Sequence, residues 1–180
     1  MEYLKIIAVG IFTLLVAYLT ICVLSPKKVA ASKTIVVHHS EQSVIEDLSD
    51  LEFWQEWHPY LDSAKEGSIV TSTNKIEWVS STNTGGKIEV DFHPDSGRIS
   101  FTTAFEKAGV WKAYQGEFLL EGNERETKIS WVYVGEEFPF FKRPANYFIK
   151  EVIEKTMELG LFRLKKSLRQ KDYPNLENNN

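Results

Sequence analysis

A single cysteine, Cys22, is all the thiol this chain of 180 residues carries, and the shortage closes several routes at once. No intrachain disulfide can form, no cysteine metal site can be assembled, and cysteine usage leaves the redox compartment unread. Histidine is scarce too, at four residues. His38 and His39 are neighbours in a segment that reads as strand, where successive side chains face opposite sides, so they cannot jointly grip one ion. His93 falls in a turn and His58 precedes a proline. With no ligand cluster at a recognisable spacing, the sequence predicts no metal and no other cofactor. Excess positive charge is also missing. The formal charge is −4, and once Lys5, Lys27, Lys28 and Glu2 are set aside, 18 basic residues stand against 24 acidic ones beyond residue 32. Nucleic acid is a poor partner for such a surface. Paired carboxylates at a telling spacing are absent as well: Glu77 lies opposite in parity to Ile76 and Trp78, and Glu136 and Glu137 simply precede an aromatic run.

Apolar residues are plentiful. They make up 43% of the chain, aromatic residues 13% and charged residues 26%, which suits one well-filled domain with a short appendage. The longest stretch without a charge runs from Ile6 to Leu24. At about 1.5 Å rise per residue, those 19 residues come close to the ~30 Å hydrocarbon core of a bilayer, so the segment reads as a single membrane-spanning helix. A cleaved signal peptide is the alternative, with Val29-Ala30-Ala31 as its cleavage site. Against it stand an apolar run longer than the usual ~7 to 15 residues and the interruption by Lys27-Lys28. Lys27, Lys28 and Lys33 follow the span where only Lys5 precedes it, which places the remainder in the cytoplasm by the positive-inside bias.

Beyond the span, Pro26 to Ser32 reads as a polar connector and Thr34 to His38 as a first strand. Ser40 offers an N-cap for a helix through about Leu48, and a second short helix, Leu51 to Trp57, stops before Pro59. From about Ser68 to Val134 the period is two. Ile88, Val90 and Phe92 alternate with Lys87, Glu89 and Asp91; Ile99, Phe101, Thr103 and Phe105 continue the pattern, followed by Tyr114, Phe118 and Leu120, and then Ile129, Trp131 and Tyr133. Asn83-Thr84-Gly85-Gly86 and His93 to Gly97 supply turns. From about Pro144 to Arg169, Ile149, Ile153, Met157, Leu161, Leu164 and Leu168 recur at helical spacing. The expected class is α+β: a curved antiparallel sheet of about six or seven strands around a long C-terminal helix. The expected division is 1–31 anchor and linker, 32–170 domain, 171–180 frayed tail.

Three groups of residues carry a resemblance: Phe53-Trp54-Gln55-Glu56-Trp57-His58-Pro59-Tyr60 after a short helix, Gly116-Glu117-Phe118-Leu119-Leu120 followed by Thr127 to Trp131, and Gly160-Leu161 with Leu164-Lys165 in the closing helix. Over roughly residues 32–170 the chain resembles the START-like, helix-grip superfamily, also called SRPBCC, that includes Bet v 1 and the polyketide cyclases. It looks similar to a membrane-anchored bacterial subgroup as well. The resemblance implies a hydrophobic small molecule or lipid held between sheet and helix. It departs from the commoner W-x-x-W-S-P-W form at His58 and Tyr60.

Candidate pocket residues follow from strand parity and aromatic clustering. Trp57 and His58 flank the proline corner, where His58 either transfers a proton at a pocket mouth or merely caps the short helix. Trp78, Phe101, Trp131 and Tyr133 are core residues that could also line a cavity, and Met157 faces them from the closing helix. Phe138, Phe140, Phe141 and Tyr147 surround a proline-containing loop that could plug the core, gate the pocket or rest on a membrane. No catalytic constellation stands out. The leading expectation is a membrane-tethered domain binding a hydrophobic ligand; the rivals are a cyclase- or dehydratase-type enzyme and a protein-interaction module at the membrane.

Overall fold

The computed structural model describes residues 2–107 and 109–172. Helix α1, Glu2–Leu24, is apolar around its whole circumference; Ile6, Val9, Phe12 and Leu14 stand in the open with nothing packed on them. Its polar residues satisfy themselves: the hydroxyls of Thr13 and Thr20 donate to the carbonyls of Val9 and Val16, four residues back. Helix α1 is long and apolar enough to cross a bilayer.

Strand β1, Lys28–Val37, begins six residues earlier than the sequence reading, so most of the expected connector is strand. It pairs antiparallel with β7, Thr127–Glu137, from Lys28 opposite Glu137 to Val37 opposite Thr127. His38 and His39 lie in a bend beyond β1, not within it. Helix α2, Glu41–Ser49, starts as expected: the Ser40 hydroxyl accepts from the Ser43 amide at 3.2 Å and satisfies a first-turn donor. The second short helix is reduced to one turn, α3, Trp54–Trp57, because Pro59 cannot continue it and opens a 3-10 turn through Ser63 instead.

Five further strands complete the sheet: β2 Val70–Ser72, β3 Lys75–Val79, β4 Gly85–His93, β5 Arg98–Lys107 and β6 Val110–Gly122. The seven strands run in the order β1-β7-β6-β5-β4-β3-β2, every pairing antiparallel. Two glycines on the inner face allow large rings to lie flat across the neighbouring strand: Phe101 covers Gly116 and Trp78 covers Gly86, each pair directly opposite in register.

Helix α4, Ala145–Asp172, closes the fold. Its stripe of Ile153, Met157, Leu161, Leu164 and Leu168 is buried, against β1, α3 and the Pro59–Ser63 turn. Gly160 is its point of closest approach, where a Cβ would stand 2.7 Å from the Trp131 ring and 3.0 Å from Pro59. Arg163 grips both carboxylate oxygens of Asp62, at 2.8 and 2.7 Å, and so locks the helix to the turn. The frayed tail expected for 171–180 falls almost wholly outside the described residues.

Candidate functional site

The inner face of the sheet and the buried face of α4 enclose an apolar interior in which aliphatic side chains surround a cluster of rings. At its centre His58 lies parallel to Trp54, 5.4 Å between centroids, with Trp57 at 5.1 Å and Trp131 at 5.4 Å. Phe101 and Phe118 stack on each other at 5.1 Å and meet the indoles edge-on. These contacts, together with Gly160 pressing on Trp131, fill the middle of the grip.

Polarity inside this cluster is unusual. Trp54 Nε1 donates to the Leu48 carbonyl at 2.8 Å. By contrast, both ring nitrogens of His58, Nε1 of Trp57 and of Trp131, and the Thr103 hydroxyl are buried without a protein partner. His58 is not the side-chain cap that the sequence allowed; its backbone amide, donating to the Trp54 carbonyl at 2.8 Å, closes α3 instead. Nor does it line a mouth, being 1% exposed. Burial pushes its pKa down to about 3, so the imidazole is neutral at ordinary pH.

From this centre a line of rings leads to one end of the sheet: His58 to Tyr60 at 5.2 Å, Tyr60 to Phe105 at 5.2 Å, Phe105 to Tyr114 at 6.3 Å and Tyr114 to Tyr133 at 6.0 Å. The register places these rings together. Phe105, Tyr114 and Tyr133 come from the ends of β5, β6 and β7 that lie beside the start of β1. Tyr60, Phe105, Tyr114 and Ile149 of α4 are only half-buried, so the grip is closed at its centre and loosely covered here. Burial, with Tyr114 adding to it, pushes the Tyr60 phenol up to about 12 and keeps it protonated.

Seven of the ten predicted pocket residues meet in this interior: Trp57, His58, Trp78, Phe101, Trp131, Tyr133 and Met157. The other three do not. Phe138 and Phe140 are half-exposed on the loop into α4, where Phe141 is exposed as well, and Tyr147 is exposed in the first turn of α4; the loop does not plug the core. Sequence reasoning left out Tyr60, Phe105 and Tyr114, although the parity that singled out Phe101 and Tyr133 also places Phe105 and Tyr114 on the inner face. On the opposite face of the sheet, Glu89, Asp91, Thr102, Gln115, Glu117 and Val134 line an open depression of about 570 Å³, which the sequence did not suggest.

The arrangement of seven antiparallel strands around a closing helix decides the comparison with known structures. The fold is START-like. A START superfamily protein from Mycobacterium smegmatis superposes with a TM-score of 0.54 at 14% identity, over 78% of this chain and 97% of that one. A conserved protein from Geobacillus kaustophilus gives 0.60 at 14% identity, over 79% and 97%. The di-domain ARO/CYC BexL from the BE-7585A biosynthetic pathway gives 0.61 at 16% identity, over 81% of this chain and 48% of BexL. DynU16, from the dynemicin biosynthetic locus, is likewise covered over 48% of its length, so the START-like chain spans about half of each of these two proteins. No protein-family model and no curated protein matches the sequence.

Proposed function

We propose that this START-like chain is tethered to a membrane by α1 and takes up a hydrophobic small molecule or lipid at the loosely covered end of its grip. The observation that carries the reading is the uneven closure of the interior. Tyr60, Phe105, Tyr114 and Ile149 leave apolar surface half-covered at one end, while the centre around His58 is filled. Apolar rings with a few hydroxyls are what a ligand with a greasy body and one polar group would meet. The uncovered apolar surface of α1 supports the tether. The lysines after the span support a cytoplasmic domain, and the register of β1 supports a domain that starts near Lys28.

To test the reading, the full chain is purified in lipid nanodiscs and extracted for bound lipid, and its melting is followed with fatty acids and polycyclic aromatics. A retained ligand or a thermal shift is expected, and Ile149→Trp, which fills the loose end, should abolish either. Absence of both from the folded wild type sinks the proposal. The likeness of fold to BexL favours a second reading, a cyclase- or dehydratase-type enzyme. In that reading His58 would act as a neutral donor or acceptor of hydrogen bonds, because burial denies it the imidazolium form. Turnover that survives His58→Phe would exclude that role.

A further inference from the structure

The last turns of α1 do not stand free of the domain. The Tyr18 hydroxyl donates to the Phe141 carbonyl at 2.5 Å, the Tyr147 hydroxyl donates to the Leu24 carbonyl at 3.4 Å, and Asn146 Nδ2 donates to the Pro26 carbonyl at 2.7 Å. The loop into α4 is thus fixed against the end of the apolar helix. Tyr18 precedes Leu24 by six residues, about 9 Å along the axis. If α1 spans a bilayer up to Leu24, the backbone at Phe141 sits below the end of the span, at the depth of the headgroup and acyl boundary.

Around this point the surface is aromatic and apolar. Phe141 is 62% exposed, Tyr147 55%, Phe148 75% and Val152 64%, and the last two share the solvent side of α4, opposite the buried stripe. Exposed Lys27 and Lys142 lie beside them, the Lys27 carbonyl accepting from the Phe138 amide at 2.9 Å. The basic residues next to the patch are those of the loops, Lys27, Lys142 and Arg143, since the first half of α4 sets Lys150 and Lys155 against Glu151, Glu154 and Glu158. An apolar patch with basic residues around it, on a helix that starts at the end of a span, has the composition of an interfacial membrane contact.

We infer that Phe141, Tyr147, Phe148 and Val152 bed the domain into the surface of the same bilayer that α1 enters. This rests on the tethering proposed above. It also orients the grip: the start of β1 and the ends of β5, β6 and β7 lie at the sheet end that adjoins α1, so the half-covered rings Phe105 and Tyr114 open toward the lipid. A ligand then passes from the bilayer into the grip without crossing water, which makes a membrane-resident lipid, in preference to a water-soluble compound, the class this site takes.

The test uses the full chain with Cys22→Ala and one new cysteine at a time, Ile11→Cys in the span, Phe148→Cys in the patch or Arg125→Cys in the β6–β7 turn. Each is labelled with an environment-sensitive fluorophore in vesicles of phosphatidylcholine and phosphatidylglycerol, with and without brominated acyl chains; circular dichroism confirms the fold, and Val152→Cys replaces any Phe148 variant that fails it. Expected is quenching at both Ile11 and Phe148 of roughly twice that at Arg125 or more, because both labels would lie in lipid. Quenching at Ile11 with Phe148 no different from Arg125 overturns the bedding and leaves the tether intact. No quenching at Ile11 overturns the tether and the bedding with it. Shielding of the Phe148 label that grows with protein concentration and ignores brominated lipid assigns the patch to a second copy, and also overturns the inference.

Discussion

A neutral histidine buried among indoles makes a pH dependence that can be worked out in sign. The folded-state pKa of His58 is held down to about 3 by burial, whereas in the unfolded chain an imidazole titrates near 6.5. Between those values the unfolded state binds the extra proton and the folded state does not, so stability falls as the pH is lowered through the window and is fully present above it. The slope from this one residue is at most about 1.4 kcal/mol per pH unit. His58→Phe removes it: melting temperatures of the wild type and the variant should converge near neutral pH and separate in favour of the variant as the pH drops from 6 to 4. Parallel curves would show that His58 is hydrated in solution. At pH 7 the same variant should be neutral or slightly stabilising, because it replaces two unpartnered buried nitrogens with a ring of similar shape. None of this could be read in the sequence, where His58 beside Pro59 looked like a cap or a pocket edge; its burial depends on Trp131 and Phe101, which arrive from strands far along the chain.

At the scale of elements, α4 shows what periodicity can and cannot convey. Its buried stripe, the alternation along β4 to β7 and the Ser40 cap were all legible, because each follows from local geometry with a fixed period. The start of β1 was not, since Lys28 to Lys33 alternates only Val29 and Ala31 with charged and small residues, and what makes it a strand is the length of β7. The filling of the grip was equally hidden. It depends on Gly160, which the sequence offers only as part of the closing-helix signature and which lets α4 rest on Trp131 and Pro59. An alanine there would gain about 1 kcal/mol of helix propensity, yet its Cβ would stand 2.7 Å from the indole. We expect the packing cost to win, with Gly160→Ala destabilising by about 1 to 2 kcal/mol in chemical denaturation, while exposed Leu159→Ala changes little. A stabilised Gly160→Ala would mean that α4 rides further from the sheet, with room for a ligand at the centre as well as at the end.

For the whole molecule, the question is where the anchor stops and the domain starts, and the register of β1 makes that a matter of measurable stability. A boundary at residue 32, as the sequence alone suggests, removes Lys28 to Ala31, which lie opposite the end of β7 from Tyr133 to Glu137. Val29 and Ala31 are buried on the inner face, so the cut uncovers apolar surface as well as ladder hydrogen bonds. Burial of the valine alone is worth about 1.5 to 3 kcal/mol, and the exposed stretch of β7 becomes a bare edge. A fragment spanning 27–172 should therefore fold and melt on the order of 10 °C above one spanning 32–172, given the few kcal/mol at stake in a domain of this size. The same cut reaches the loosely covered end of the grip, because Val29 sits beside Gly135 and Ala31 opposite Tyr133 there. The shorter fragment should accordingly lose ligand affinity beyond what its lower stability explains, measured by titration at a temperature where both fragments are folded. Equal melting of the two fragments would place the boundary at 32 after all, and would detach the start of β1 from both the fold and the site.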